Sequence, residues 1–206
     1  MLISKVDRRT LNGMTQLIDV PAGLNGVVAA DTTIGAVDGD RGFFHYGPYD
    51  ATMLARTRSF EDVWFLVRNG RLPDPDESAG FRCETAALRA IPAALEPVIA
   101  AVARSDASML SKLRSVLSVA AGPLELSPVI DVDDDRRREQ TLRLAALVPS
   151  LLAALHRVGS GLSAVEPDRA LGHAAAYLHQ VTGVVPTPVA ARAVEQYMIL
   201  TIDHGF

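Results

Sequence analysis

Apolar residues recur with helical spacing along most of this chain. In the segment SFEDVWFLVRNG (59–70), four of them fall on one helical face: Phe60, Val63, Trp64 and Val67. Ser59 stands before this run as a candidate N-cap, with Asp62 three residues later in an arrangement close to a capping box. Gly70 is placed to end the helix, and Pro73 prevents its continuation. The pattern predicts a helix over residues 60–69.

Start and stop signals divide the following sequence into further helices. Asp74 is a candidate N-cap, Pro75 suits the first helical position and Glu77 lies three residues after the cap, so a helix is predicted from there towards Arg89. SMLSKLRSVLSVAAG (108–122) is another. Three more are predicted over about 139–158, 167–183 and 189–202. Pro149 is expected to kink the first of these three.

Residues 27–46, VVAADTTIGAVDGDRGFFHY, form the one strand-like stretch. Small and apolar residues flank DGD there, which is a hairpin turn signal. The sequence therefore predicts an all-α fold of about eight helices with one small N-terminal β-hairpin. A length of 206 residues fits one large domain or two small ones.

Composition narrows the function classes. The formal net charge is −4 and no basic block stands out, which argues against a nucleic-acid partner. The single cysteine, Cys83, excludes an internal disulfide framework and fits a reducing compartment. The longest uncharged apolar run, 144–155, falls short of the roughly 20 residues of a bilayer span. We expect a cytoplasmic protein that does not engage a membrane.

The charge run DVDDDRRREQ (131–140) and the motif GSGLSA (159–164) suggest sites that the surrounding sequence does not support. Three arginines follow the aspartates and would repel a cation, so a solvated entry into a helix is expected and no metal site. GSGLSA matches G-x-G-x-x-A, but a helix precedes it where a dinucleotide site needs a strand. A turn between helices is expected there. Cys83 lies inside a predicted helix, as a small buried residue.

Five histidines are candidates for chemistry. His173 and His179 are six residues apart, which places them about 120° from a common helical face. A core or interface role is therefore expected for both, and the same for His45 and His156. His204 follows Asp203 at the end of the last predicted helix, where the helix dipole favours the imidazolium. It is either a donor to an anionic ligand or a plain helix cap, and spacing alone leaves both open.

The order of segments resembles the citrate synthase family. GLNGVVAADTTIGAVDGDRGFFHYGPYD (23–50) resembles the family's opening hairpin, although its closing element reads HYGPYD and lacks the family's arginine. Four later segments are similar to family segments in the same order: SFEDVWFLVRNGRLPD (59–74), LSKLR (110–114), LRLAALVPSLLAALHRVGSG (142–161) and YMILTIDHGF (197–206). The resemblance implies that 1–22 is an N-terminal extension. It also implies that 23–206 is the N-terminal part of the large helical domain, without the C-terminal half and the small domain.

The resemblance also implies an activity. The family condenses acetyl-CoA with oxaloacetate to citrate and coenzyme A, with no cofactor beyond the thioester substrate. Its substrate-binding histidine falls on His204, which would contact an oxaloacetate carboxylate, while the first histidine of the motif is Thr201 here. The family's base, enol-stabilising donor and carboxylate-clamping arginines fall outside this chain, so no catalytic residue is assigned within it. We expect a homodimer that has no synthase activity as the isolated chain.

Three alternatives stay open. One is a 2-methylcitrate synthase, which takes propionyl-CoA, because the residues that set acyl length lie beyond residue 206. Another is a non-catalytic helical dimerisation module, or a subunit that needs a separate C-terminal chain. The last is a fragment that folds poorly because apolar surface is left bare.

Overall fold

The computed structural model describes residues 21–24, 27 and 32–203. The chain divides into two compact units, of which the second is Thr33–Gly205. In the first unit the structure describes one short 3₁₀ turn, Ala22–Leu24. The described α-helices and β-strands all belong to the second unit. The predicted division at residue 22 stays a prediction.

The all-α prediction is confirmed. The described residues contain eight α-helices: α1 Ala51–Thr57, α2 Phe60–Asn69, α3 Pro75–Ala87, α4 Glu96–Ala103, α5 Met109–Ala120, α6 Asp134–Gly159, α7 His173–Thr182 and α8 Pro188–Leu200. The predicted hairpin is also present, although residues 28–31 of the segment lie outside the described part. Its strands are β1 Gly35–Asp38, β2 Phe43–Tyr46 and the short β3 Tyr49–Asp50. They form one antiparallel sheet in that order, with Gly35 opposite Tyr46.

Local capping explains where several helices begin. The Ser59 hydroxyl accepts the Asp62 backbone N–H at 3.2 Å, so the predicted cap of α2 is confirmed. At α3, Asp74 and Glu77 each accept the other's backbone N–H, which completes a capping box. Asp62 does not close such a box at α2, because its carboxylate accepts the Ser78 hydroxyl instead. The bonds to Ser59, Asp74 and Glu77 each satisfy a backbone N–H that the helix itself leaves without a partner.

Helix α6 forms the centre of the fold. It begins at Asp134, capped by Asp133, so most of the charge run belongs to its first turns rather than to a preceding loop. It continues through Pro149 to Gly159. By length and composition α6 is the one described helix able to cross a membrane. Nine of its residues are buried, however, and it packs against α4, α5 and α7, which is the environment of a core helix.

Two apolar clusters stabilise the second unit. One joins α4, α5 and α6 through residues such as Ile99, Val116 and Leu151. The other joins the hairpin, α1, α2 and α8, with Tyr46, Val63 and Ile199 at most 1 % exposed. Each such side chain contributes about 1.5–3 kcal/mol when it leaves water. The second cluster fixes the end of α8 against the hairpin.

Two predictions are wrong. Helix α7 begins at His173 rather than near residue 167, because the Asp168 carboxylate accepts the Ala170 N–H at 2.8 Å and forms a turn. Cys83 is exposed, since the buried face of α3 carries Phe81 and Thr85 instead. His156 is exposed on the largely buried α6, which excludes a core role, and an interface role stays a prediction.

Candidate functional site

The C-terminal end of α8 lies against the hairpin through one buried tyrosine. Tyr46, on β2, is 1 % exposed, and its hydroxyl donates to the backbone carbonyl of Ile199 at 2.9 Å. The Ile199 carbonyl also accepts the backbone N–H groups of Thr201 and Ile202 at the end of α8, so Tyr46 adds a donor from outside the helix. The Tyr46 hydrogen bond also fixes the position of the end of α8 relative to the hairpin. Sequence reasoning missed Tyr46, because nothing local marks a tyrosine that reaches 153 residues along the chain.

Asp203 lies beside the same tyrosine and beside β1. A Cβ on Gly35 would lie 2.5 Å from the His45 carbonyl oxygen and 3.1 Å from the Asp203 carboxylate. Gly35 therefore leaves the space in which this carboxylate approaches the strand. Burial raises the pKa of Tyr46; the backbone hydrogen bond from Asp203 lowers this pKa and the Asp203 charge raises it. The phenol accordingly stays protonated and remains a donor at neutral pH.

His204, the predicted substrate-binding residue, lies outside the described residues, so its role stays a prediction. The structure does describe the residue before it and thus the direction in which the chain approaches that position. Thr201, which stands where the family motif has its first histidine, donates its hydroxyl to the Tyr197 carbonyl at 2.8 Å. That hydroxyl is used within the last turn of α8.

An ion pair on α8 holds this helix across the junction of α1 and α2. Arg192 and Glu195 pair with each other one turn apart. The Arg192 guanidinium donates to the carbonyls of Ala55 and Arg58, and Glu195 accepts the Phe60 N–H at 3.0 Å. The cation thus meets the end of α1 and the anion meets the start of α2, as the helix dipoles favour.

A second polar group is buried between α2, α3 and α7. Glu61 and Arg89 are each 2 % exposed, with 3.4 Å between their nearest side-chain atoms. Glu61 also accepts the backbone N–H of His173 at 2.8 Å, while Arg89 donates to the Leu171 carbonyl at 2.8 Å. The N-cap of α7 is Gly172, which has no side chain to accept these N–H groups. Glu61 supplies that acceptor from another helix.

His173 is a core histidine, as predicted. It is 3 % exposed and stacks on Phe60 with 5.0 Å between ring centroids. Burial, and then the nearby Arg89 charge, lowers its pKa to about 3, so the imidazole is neutral. Its Nδ1 has no hydrogen-bond partner among the described residues. Because it is enclosed and its low pKa makes it a weak base, it is not a candidate base for a bound substrate.

The other candidates do not join these groups. His45 contacts the Gly47 carbonyl through Nδ1 at 2.6 Å, within the hairpin. His179 has a buried Nδ1 and is half-buried on α7. Cys83 lines a cavity of about 440 Å³ together with Arg82 and Arg169. Across the described ranges, no three His, Cys, Asp or Glu side chains are grouped so that they could hold a metal ion.

Comparison with known proteins identifies the family. The family model described as citrate synthase, C-terminal domain, matches residues 23–206. This chain belongs to the citrate synthase family. The citrate synthase of Haloferax volcanii is 35% identical over 188 residues, which cover 91% of this chain and 50% of that protein. The 2-methylcitrate synthase of Mycobacterium tuberculosis is 32% identical over 197 residues, covering 91% and 47%.

A solved citrate synthase shares the fold. The crystal structure from Pyrobaculum aerophilum superposes with a TM-score of 0.78 at 25% identity, and the match covers 92% of this chain and 52% of that one. The chain thus spans about half the length of the citrate synthase relatives that it matches.

Proposed function

We propose that this chain supplies the hairpin and α8 side of a citrate synthase-type acyltransferase, which joins acetyl-CoA and oxaloacetate to give citrate and coenzyme A. The observation that carries the proposal is the hydrogen bond between Tyr46 and the Ile199 carbonyl at 2.9 Å. It fixes the end of α8, from which the segment with Asp203 and His204 follows. That segment resembles the family's substrate-binding motif.

The chemistry of the reaction defines what this end of α8 can contribute. Oxaloacetate is a dianion, and a cationic imidazole at position 204 would donate to one of its carboxylates. The condensation also needs a base for the methyl proton of acetyl-CoA and a donor for the forming enolate. Two described histidines, His45 and His173, are not available for those roles, since His45 contacts the Gly47 carbonyl and His173 is enclosed. We therefore propose that residues 1–206 alone do not catalyse the condensation.

Release of free thiol from acetyl-CoA in the presence of oxaloacetate tests this. The purified 206-residue chain is expected to release none above background. Mixed with a separately expressed C-terminal half of the Mycolicibacterium smegmatis citrate synthase, a relative 32% identical over 184 residues, it is expected to gain activity that His204→Gln removes. Clear turnover by the chain alone would refute the proposed inactivity. Activity of the mixture that His204→Gln leaves unchanged would refute the role of His204.

A 2-methylcitrate synthase is the second candidate. The M. tuberculosis relative that carries this name is 32% identical, close to the 35% of the H. volcanii citrate synthase. The acyl groups of the two thioester substrates differ by one methylene. Propionyl-CoA is run beside acetyl-CoA in two mixtures, one with the C-terminal half of a citrate synthase and one with that of the 2-methylcitrate synthase. A preference that follows the donor half alone would mean that residues 1–206 do not select the acyl group.

A homodimer is proposed as the working assembly. Helix α8 exposes a row of apolar residues, with Val189 80% and Tyr197 69% exposed, and Leu200 continues the row. A row of this kind on one helix suits packing against a second helix. The same surface supports the alternative in which the chain is a non-catalytic helical module. Thiol release by the mixture with the C-terminal half separates that alternative from an enzyme.

A further inference from the structure

Two arginines, one on α2 and one on α6, are linked by reciprocal hydrogen bonds. Nη1 of Arg68 donates to the Arg138 carbonyl at 2.9 Å, and Nη2 of Arg138 donates to the Arg68 carbonyl at 2.9 Å. The same Nη2 donates to Oδ1 of Asn69 at 3.0 Å. This reciprocal exchange ties the end of α2 to the start of α6. It also keeps two like charges close together.

No described carboxylate pairs with either guanidinium. Within the part of the chain that the structure describes, neither Arg68 nor Arg138 has an Asp or Glu oxygen within 4 Å. Burial and then the charge of Arg138 lower the pKa of Arg68, against a weaker opposing effect of Glu84. The three hydrogen bonds to oxygen leave most N–H donors of the two side chains open. The pair is thus a concentrated positive charge whose remaining N–H groups can donate to a ligand.

A cavity opens beside this pair. Its volume is about 260 Å³, and Trp64, Val67 and Leu142 give it apolar walls. Arg68 and Arg138 line it as well. A third arginine there, Arg137, already pairs with Asp134 at 2.7 Å. The volume lies just below the usual range of small-molecule sites, which starts at about 300 Å³, so a compact ligand fits best.

We propose that this cavity binds a small amphipathic anion, with a carboxylate or phosphate group between Arg68 and Arg138 and an apolar ring or short chain against Trp64. Guanidinium groups bind such oxyanions through paired hydrogen bonds. A bridging anion would also offset the repulsion between the two arginines. The site lies on α2 and α6 and does not depend on the function proposed for the end of α8.

Trp64 provides the readout, because it is the only tryptophan of the chain. Phenyl phosphate, titrated into the full 206-residue chain at low ionic strength, is expected to change the Trp64 emission saturably. A dissociation constant on the order of 1 mM is expected, the weak end of specific binding. Inorganic phosphate should compete, and benzyl alcohol, which has the ring without the charge, should not bind. A linear response without saturation would overturn the proposal.

Variants locate the binding. Arg68→Gln and Arg138→Gln are each expected to weaken phenyl phosphate binding about tenfold, the loss of one charge-assisted contact. Arg114→Gln is the matched control, because Arg114 is an exposed arginine on α5, away from the cavity. Equal losses in all three variants would mean that general surface charge holds the probe. Unchanged binding in both cavity variants would also contradict the proposal.

A further variant keeps both arginines, so its result does not depend on whether Arg68→Gln and Arg138→Gln fold. Thr141 lines the cavity and is exposed on α6, one turn beyond Arg137 and Arg138. Thr141→Glu places a carboxylate beside them, at helical spacings that favour ion pairs. It is expected to raise the melting temperature and to weaken phenyl phosphate binding about tenfold or more. Thr141→Gln, which adds no charge, should do neither, and wild-type binding by Thr141→Glu would reject the site.

Discussion

The carboxylate of Glu61 accepts the backbone N–H of His173 at 2.8 Å and thereby caps a helix that begins 112 residues later in the chain. The cap residue of α7 itself is Gly172, which contributes no side chain. Because Glu61 also faces Arg89 at 3.4 Å, one buried carboxylate both caps α7 and compensates a buried cation. The start of α7 therefore depends on a residue of α2.

Glu61→Gln tests this arrangement. The amide oxygen can still accept the N–H of His173, but Arg89 loses its compensating charge in a buried place. We expect a loss of about 3 kcal/mol in the free energy of unfolding, as for other broken buried pairs. Urea denaturation measures it. Glu139→Gln, which disrupts the surface pairs of Glu139 with Arg136 and Arg143, is the control and should change the free energy of unfolding much less. Equal effects would show that the buried pair has no special weight.

His173 makes stability depend on pH. Its pKa falls from 6.5 to about 3 in the folded protein, so the unfolded chain binds the extra proton first. Stability is then full above pH 6.5 and decreases as the pH falls from 6.5 towards about 3, by at most about 1.4 kcal/mol per pH unit from this group. Urea denaturation between about pH 4 and 7 measures the slope. His173→Gln should reduce this slope by the equivalent of about one bound proton, whereas His156→Gln, at an exposed position, should leave the slope unchanged. An unchanged slope in His173→Gln would contradict the assignment.

Tyr46→Phe removes the bond that fixes the end of α8. The Ile199 carbonyl, in a residue that is fully buried, then keeps only the backbone N–H donors at the end of α8, and a loss of about 1–2 kcal/mol is expected. Hydrogen exchange should also accelerate at the backbone N–H of Asp203, because the phenol oxygen no longer accepts from it. Tyr177→Phe, a half-buried tyrosine on α7, is the control. Stability lost without faster exchange at residue 203 would separate a packing effect from the proposed anchoring.

Val189→Asp tests the proposed dimer. Val189 is 80% exposed in the first turn of α8, where a carboxylate favours the helix dipole, so the fold of the chain should be preserved. A charge in a shared apolar surface should instead weaken association about tenfold or more, as measured by sedimentation. Val119→Asp, at an exposed apolar position on α5, is the matched control. A wild-type chain that sediments as a monomer at all concentrations would exclude the dimer.

Helix ends were predictable wherever the signal was local. Ser59 and Asp74 each cap the helix that directly follows, as predicted. The start of α7 was missed for the complementary reason. Pro167 looks like a helix start, yet Asp168 forms a turn, and the acceptor that caps α7 belongs to α2. One sequence without its contacts cannot show a cap that comes from 112 residues away.

The candidate site was predictable in part for a similar reason. The hairpin and α8 were both expected, because their patterns are regular over short distances. The contact between them through Tyr46, and the space left by Gly35 for Asp203, follow only from the packing of the two elements. The exposure of Cys83 could have been inferred, since Phe81 and Thr85 mark the buried face of α3 and position 83 points away from it.

The hydrogen bonds from α8 to the junction of α1 and α2 affect when this region can complete its folding during synthesis. The backbone N–H of Phe60 donates its hydrogen bond to Glu195, which lies 135 residues later in the chain. At about 5–20 residues per second, the ribosome needs roughly 7 to 27 seconds to synthesise the chain as far as that partner. During this interval Tyr46 and the α1–α2 junction lack the helix that covers them. A nascent chain is therefore expected to stay open to proteases at its N-terminal side until α8 emerges.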